Sequence, residues 1–515
     1  MEFIININIG FIQMIRRINL CIVLFFFVMC YPLIGKDLDR GNSHLREICL
    51  ERWLEPEQSP SRYSFLQFKS NLIQNGESLY PFFEKIQNSI LDGSDRICIT
   101  HIGDSHLQTD YLTSLLRQKL QSAFGDAGRG LIFPYQAAGT NGPLDIRSAS
   151  NADWNFQRTI YGNNRLPLGI CGMAMQTDDN NFVLKIGTRT APYRSDTIVQ
   201  TFDRITLYFT SQKQLMPFAI SASTDSAITQ RMSQKKQTSC HSIKKGESLG
   251  SIARKYHCSV KELKKWNGLN SDRIRAGAKL KIVGYSKQSL PNYETDFIDY
   301  QRIETSIASR SFQKVVVDLD TPVDHFYLRG LQTKGDLIVH GIYLEKKNRS
   351  GVVYNMIGVN GAQLRHYLQA DQFIDQLAEL NSDLIIISLG TNDILETPFN
   401  KEEFIARLDT LISRIKALNP QCCLLLTTPP DIKKKVRSHS VRMELLARAI
   451  CEYGAQQKIA VWDFFSIMGG SGSLQQWKKY RLAQSDLIHF TREGYELQGK
   501  LLEIALREAF SQYAR

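Results

Sequence analysis

Proline is sparse in this chain, 15 in 515 residues, and glycine is modest at 33. With 43% of residues hydrophobic, that composition excludes a disordered protein and describes a globular one. The ten cysteines lack the paired spacing of a metal site: Cys21 and Cys30 fall in an apolar N-terminal run and the rest are scattered. Cys422 and Cys423 lie in a strand-like stretch, where buried thiols are ordinary. The loop Gly125-Asp126-Ala127-Gly128-Arg129-Gly130 lacks the Lys-Ser/Thr pair of a phosphate-binding loop, so it reads as the rim of a crevice. Acidic residues are in deficit, 51 against 63 Lys and Arg, which leaves a net charge of +12. At 515 residues the chain is too long for one ordinary core, and two or three domains follow.

What is present begins with a targeting segment. Arg16-Arg17 precede an apolar run from Ile18 to Ile34, and Lys36-Asp37 close it. These are the basic and apolar regions of a secretory signal, with Leu33-Ile34-Gly35 as a cleavage site. The run is also near the ~18–20 residues that span a bilayer, so an uncleaved membrane tether is the alternative. Met29 before Cys30 is bulky where a lipoprotein signal carries small residues. Residues 1–35 therefore predict export, to the periplasm or cell envelope. Residues 38–90 read as a helical N-terminal extension with no chemistry of its own.

The chemistry is concentrated in short blocks. Ile97-Cys98-Ile99-Thr100-His101-Ile102-Gly103-Asp104-Ser105-His106 is a buried strand delivering a serine to a strand-to-helix turn. A serine hydroxyl needs a base. Asp486-Leu487-Ile488-His489 supplies one, since a single turn places the carboxylate beside the imidazole that it orients. Two further blocks, Gly358-Val359-Asn360-Gly361 and Gly390-Thr391-Asn392-Asp393, follow apolar stretches. The Asn392 amide with the Ser105 and Gly361 backbone N–H groups would stabilise a developing oxyanion. Among the histidines, only His489 has an aspartate at this spacing; His101, His366 and His439 have no evident partner, and His106 reads as structural or at the rim.

Gly-Asp-Ser-His, Gly-Val-Asn-Gly, Gly-Thr-Asn-Asp and Asp-Leu-Ile-His, in this order, resemble the SGNH (GDSL-type) hydrolase family over residues 95–130 and 352–512. The resemblance implies catalytic roles for Ser105, Gly361, Asn392, Asp486 and His489, and a reaction needing neither metal nor cofactor. Strands alternating with helices after residue 364 agree with a doubly wound parallel sheet, whose ligands bind at the strands' carboxyl ends. The fold class expected is α/β, with the hydrolase domain at 91–145 and 350–515.

Between the serine block and Gly361 the texture changes to short strands separated by turns, such as Arg204–Thr210, Lys314–Leu319 and Asp336–Leu344. That spacing predicts a β-sandwich at 146–238 and 285–349, inserted into the hydrolase domain. Nested within it, residues 239–284 read as strand, helix, helix, strand, with Leu249, Ile252, Ala253, Leu263, Trp266, Leu280 and Ile282 facing inward. This stretch resembles a LysM domain across its ~45 residues, which implies binding to peptidoglycan or another GlcNAc-containing glycan. In that family the ligand lies between the first turn and the loop after the second helix. Those positions here are Gly246, Glu247, Ser248 and Leu249, with Asn270, Ser271, Asp272, Arg273 and Ile274 opposite. Cys240 and Cys258 flank the first helix of this stretch and could bridge in an oxidising compartment.

Residues 239–284 hold eleven Lys/Arg against three Asp/Glu, so +8 of the chain's +12 sits there. A secreted chain has little access to nucleic acid, whereas peptidoglycan stem peptides carry carboxylates. The combined expectation is an exported serine esterase acting on O-acetyl esters of peptidoglycan. The alternatives are an esterase for another glycan or a lipid, an acyl transferase, and a catalytically silent wall-binding protein.

Overall fold

The computed structural model describes residues 63–514, leaving out 94, 162–165, 190–199, 224–235, 245, 256–259, 270, 273, 286–296, 305–311, 397 and 433–437. The expected signal or tether at residues 1–35 lies outside the described residues. Among those described, no helix is long and apolar enough to cross a membrane. The chain divides into two units: one contains Phe133–Gln157 and Ala174–Gly341, and the other contains the residues up to Ile132, Arg158–Met173 and Ile342 onward.

The second of these is built on parallel strands. Arg96–Gly103, Gly351–Gly358, Leu384–Ser388, Cys423–Thr427 and Ala460–Trp462 are apolar at nearly every position because both sheet faces are covered. Their spatial order is Gly351–Gly358, Arg96–Gly103, Leu384–Ser388, Cys423–Thr427, Ala460–Trp462. The strand that comes first in sequence thus lies between the second and the third. The winding reverses there, and a crevice opens beyond the carboxyl ends of Arg96–Gly103 and Leu384–Ser388.

Alternation along each strand divides the core. Ile97, Ile99, Val352, Tyr354, Leu384 and Ile386 pack in one cluster with Phe82, Phe83, Leu116 and Leu501. These belong to the helices Tyr80–Asp92, Tyr111–Phe124 and Arg492–Tyr513. On the opposite face, the Ser438–Gln457 helix approaches Val461 at Gly454, beside the Lys401–Leu418 helix. Ile386 is fully buried, and truncating such a side chain to alanine costs about 2–5 kcal/mol.

Three local features differ from the sequence expectation. The described end of the N-terminal extension is not purely helical: Ile73–Gln74 adds an antiparallel edge strand beside Ala460–Trp462, too short for periodicity to reveal. Arg158–Met173 groups with the parallel-sheet unit and not with the strands around it. The helix pattern from Leu364 to Leu380 forms two helices, Leu364–Leu368 and Phe373–Ala378.

The other unit holds two antiparallel sheets. One runs Phe297–Ile303, Phe218–Ser223, His325–Gly330, Val183–Thr188, Ile146–Ser150. The other begins Gln313–Val323, Phe202–Thr210, Leu337–Glu345, Met173–Thr177. Edge-on aromatic pairs link them, Phe202 with Phe326 at 6.0 Å and Phe209 with Phe218 at 5.1 Å. Residues 236–285 form a small module within this unit. Strands Lys236–Ser242 and Lys279–Tyr285 pair antiparallel around the helices Leu249–Lys255 and Val260–Asn267. Ile243, Leu249, Ile252, Ala253, Leu263, Leu280 and Ile282 fill its core. Asn267 ties helix to strand, donating to the carbonyls of Leu263 and Lys281 and accepting from Lys281 N at 2.6 Å.

Candidate active site

The serine corner is set by close packing. Gly103 ends its strand where a Cβ would lie 2.6 Å from Leu107 Cδ1 and 2.9 Å from the Ser388 carbonyl, so only glycine fits. Asp104 then caps the short Ser105–Gln108 helix, its Oδ1 accepting from His106 N at 2.9 Å. Tyr367 fixes the corner from outside by donating its hydroxyl to the Gly103 carbonyl at 2.5 Å. Ser105 is left half-buried with its Oγ 2.9 Å from His489 Nε2.

His489 arrives on a bend before the Arg492–Tyr513 helix. Leu487 takes the left-handed conformation, φ 56°, and packs against the core. The bend lets Ile488 N and His489 N both donate to Asp486 Oδ1 at 3.0 Å, leaving Oδ2 2.7 Å from His489 Nδ1. An ionised carboxylate only accepts, so Nδ1 carries the proton and Nε2 is free to accept from Ser105. Burial raises the Asp486 carboxyl, but the bonds from the His489 ring and the two backbone N–H groups outweigh it and hold the group below the usual carboxylate range.

Opposite lie the other donors. Gly361 follows the Gly351–Gly358 strand at φ 81°. Neither its N–H nor that of Ser105 is bonded to a described residue. Asn392 Nδ2 donates to Asp104 Oδ2 at 3.2 Å and to the Ala362 carbonyl at 3.0 Å. It is thereby tied to the residue before Ser105 and to the residue after Gly361. The Asn392 amide group thus has an acceptor on each side, in the serine block and in the Gly361 loop. Gln108 Oε1 steadies the same loop by accepting from Asn360 N at 2.5 Å.

Sequence reasoning passed over Asp104, although it stands inside the Gly-Asp-Ser block. Burial pushes its carboxyl up to about 6. Asp393, beside Asn392, is pushed up to about 7, chiefly by burial and further by the charge of Asp104. Of the histidines without evident partners, His101 and His366 acquire them, and the side chain of His439 lies outside those described. His101 Nδ1 meets the Tyr354 hydroxyl at 2.9 Å and its Nε2 meets Ser388 Oγ at 2.6 Å. His106 Nδ1 lies 3.2 Å from the Tyr495 hydroxyl, with its ring 5.5 Å from that of His489. Burial pushes both His101 and His106 down to about 3, with the charge of His489 adding at His106, so both are neutral at pH 7. His366 Nδ1 accepts from Gln363 N in a helix cap.

Residues 341–497 match the family model described as GDSL-like Lipase/Acylhydrolase, and residues 241–283 match the LysM domain model. The chain carries a GDSL-like acylhydrolase domain and a LysM domain. The acylhydrolase match holds Gly361, Asn392, Asp486 and His489 but not Ser105, whose strand joins it through pairing with Gly351–Gly358. A solved structure described as "Peptidoglycan O-acetylesterase in action, 5 min" is 18% identical, with a TM-score of 0.58 over 85% of this chain and 99% of that one. The likeness establishes a shared fold. A lipase/acylhydrolase from Enterococcus faecalis is 23% identical over 31% of this chain and 77% of that one, with a TM-score of 0.26. The LysM domain is similar to the probable peptidoglycan endopeptidase LytE of Bacillus subtilis (strain 168), 48% identical over 44 residues. That match spans 13% of LytE and 8% of this chain.

One of the ligand contacts expected in the LysM domain is not available as such. Leu249 is a core residue, 2% exposed. Glu247 Oε2 lies 2.7 Å from His241 Nε2 and accepts from Lys244 N at 2.8 Å, and so clamps the first turn. Gly246, at φ 88°, and Ser248 are exposed on that turn. Ser271 and Asp272 are exposed, Asp272 paired with Lys264 at 2.8 Å, and Ile274 packs against the core. Asn270, Arg273 and Cys258 lie outside the described residues; Cys240 is a free, exposed thiol.

Proposed function

We propose that this protein is an exported serine esterase that removes O-acetyl groups from peptidoglycan, retained on the glycan by its LysM domain. The observation that carries this is the hydrogen-bonded line from Ser105 Oγ through His489 to Asp486. In the first step Ser105 Oγ attacks the ester carbonyl while His489 Nε2 takes its proton. Asp486 holds the imidazole in the required tautomer and stabilises the imidazolium. The oxyanion is met by the Ser105 and Gly361 N–H groups and the Asn392 amide, and loss of one such donor typically costs ~3–4 kcal/mol of transition-state stabilisation. His489 then returns the proton to the departing sugar hydroxyl, leaving acetyl-Ser105. Water, deprotonated by His489, attacks the acyl-enzyme, and His489 passes that proton to Ser105 Oγ as acetate leaves.

The substrate class follows from the company that the site keeps. A LysM domain beside an acylhydrolase domain supports a GlcNAc-containing glycan. The +8 balance of residues 239–284 suits the carboxylates of stem peptides and not a nucleic acid, which an exported chain would rarely meet. The N-terminal Arg16-Arg17 and apolar run support export, with a membrane tether if that segment is retained. The two facing antiparallel sheets are the inserted β-sandwich in this arrangement, and the strands and helices of residues 236–285 are the βααβ LysM unit.

The test is acetate release from O-acetylated peptidoglycan by the purified protein and by Ser105→Ala. Acetate from the first and none from the second supports the proposal. Acetyl-ester hydrolysis without acetate release from peptidoglycan moves the substrate to another glycan or lipid. Binding to peptidoglycan without hydrolysis of any ester replaces the proposal with a silent wall-binding protein.

A further inference from the structure

Arg158–Met173 leaves the surrounding strands and joins the parallel-sheet unit, and its packing brings it to the oxyanion loop. Thr159 N donates to the Gly172 carbonyl at 2.9 Å, and Thr159 Oγ1 donates to the His366 carbonyl at 2.5 Å. Gly172, at φ 61°, lies where a Cβ would come within 2.8 Å of Val359 Cγ2, so the segment is pressed onto the strand that leads to Gly361. Ile170 N donates to Gln376 Oε1 at 2.8 Å, fixing the segment's far end to the Phe373–Ala378 helix.

Ile160 stands at the tip of this anchored stretch. Its Cδ1 is 3.5 Å from the position that a Cβ would take on Gly361. On either side of it, Arg158 Nη2 donates to the Tyr161 hydroxyl at 2.9 Å, and the guanidinium lies 5.3 Å from the centre of that ring. Ile160 itself is half-buried, an apolar side chain beside Gly361.

Given the esterase activity proposed above, we infer that Ile160 is the wall that limits the acyl group to acetyl. An ester oxygen held ~2.9 Å from the Gly361 N–H brings the acyl carbon next to the carbonyl within contact of whatever covers Gly361. The Ile160 methyl covers it. A branched hydrocarbon suits the methyl of an acetyl group and offers nothing to the hydroxyls of a sugar, so the acyl side of the ester faces Ile160 and the alcohol side faces away. A longer acyl chain meets Cδ1, and Thr159, next to Ile160, is tied to Gly172 and to the His366 carbonyl.

The experiment compares kcat/KM for p-nitrophenyl acetate, butyrate and hexanoate, using the full chain and the variants Ile160→Val and Ile160→Ala. Keeping the leaving group constant isolates the acyl side. Ile160→Val deletes Cδ1 alone and keeps the branched β-carbon, so the fold is spared. The wild type should prefer acetate steeply, and the butyrate-to-acetate ratio should rise with Val and reach about tenfold or more with Ala. A ratio that moves less than threefold in both variants while acetate is still hydrolysed overturns the wall, as does a wild type that turns over hexanoate as well as acetate. A wild type inert on all three esters overturns the esterase proposal itself, a result distinct from the other two.

Discussion

Asn392 and Asp104 are joined side chain to side chain, Nδ2 to Oδ2 at 3.2 Å, across 288 residues of sequence. The bond couples the block that delivers the serine to the block that delivers the side-chain amide. Asp104 is therefore a positioning residue: it orients the Asn392 amide while its other oxygen caps the Ser105 helix. The pair forms only because the strands ahead of both residues, Arg96–Gly103 and Leu384–Ser388, are neighbours in the sheet.

Asp104→Ala should lower kcat about 10- to 100-fold with little change in KM, and Asn392→Ala about 100- to 1,000-fold. The double variant should cost less than the product of the two single losses, because the carboxylate acts in part through the amide. Losses that multiply in steady-state kinetics on an acetyl ester would show two independent roles.

Ser105→Ala should abolish hydrolysis, and Asp486→Asn should reduce kcat by about 10²–10⁴-fold. The amide replaces an acceptor with a group that also donates, so the imidazole loses the tautomer that leaves Nε2 unprotonated. A labelling measurement with a serine-directed sulfonyl fluoride separates these effects: Asp486→Asn should react slowly at Ser105, and Ser105→Ala not at all.

Asp393 makes stability depend on pH. Its folded carboxyl is pushed up to about 7 from an ordinary 3.8, so the folded protein holds a proton that the unfolded chain releases. The resulting stabilisation is full below about 3.8 and is lost as pH rises through about 7. Asp393→Asn removes the titration. Its melting temperature relative to the wild type should therefore rise between pH 4 and pH 7 and level off above, as scanning calorimetry would read. A difference that stays flat across that range would mean that the buried carboxyl does not titrate there.

Deleting residues 239–284 should weaken binding to insoluble peptidoglycan and spare hydrolysis of a small acetyl ester. The excision is geometrically mild, since Thr238 and Val283 pair across the same ladder, with Lys236 opposite Tyr285. Glu247→Gln should act in the same direction but more weakly, by loosening the turn that Glu247 clamps to His241 and Lys244 N. Co-sedimentation with peptidoglycan measures the first effect and esterase kinetics the second. Equal loss of both activities would contradict a division of labour.

The local motifs were legible because each is a short stretch whose geometry is mostly its own. Asp486 and His489 meet through one bend, and Ser105 follows directly from its strand. The inner face of residues 239–284 is legible from helical spacing, yet Leu249, expected at the ligand, belongs to the core. A turn position does not reveal whether a side chain points in or out, and the partner that His241 gives Glu247 across the turn leaves no local pattern. The Ile73–Gln74 edge strand left no pattern, since two residues carry no periodicity. Nothing in the composition of Arg158–Met173 marks its return from the surrounding strands to another core.

By itself, then, the sequence determined the parallel-sheet class, the serine at a strand end, the histidine with its aspartate, and the small basic module. All of these depend on contacts within a few residues or on the period of a single element. Only the tertiary structure decided that Asp104 holds Asn392, that His101 and His106 are buried and neutral, and that Ile160 covers Gly361. Those relations join residues separated by tens to hundreds of positions. They exist because the winding reverses at the Arg96–Gly103 strand and brings to one crevice what the chain keeps apart.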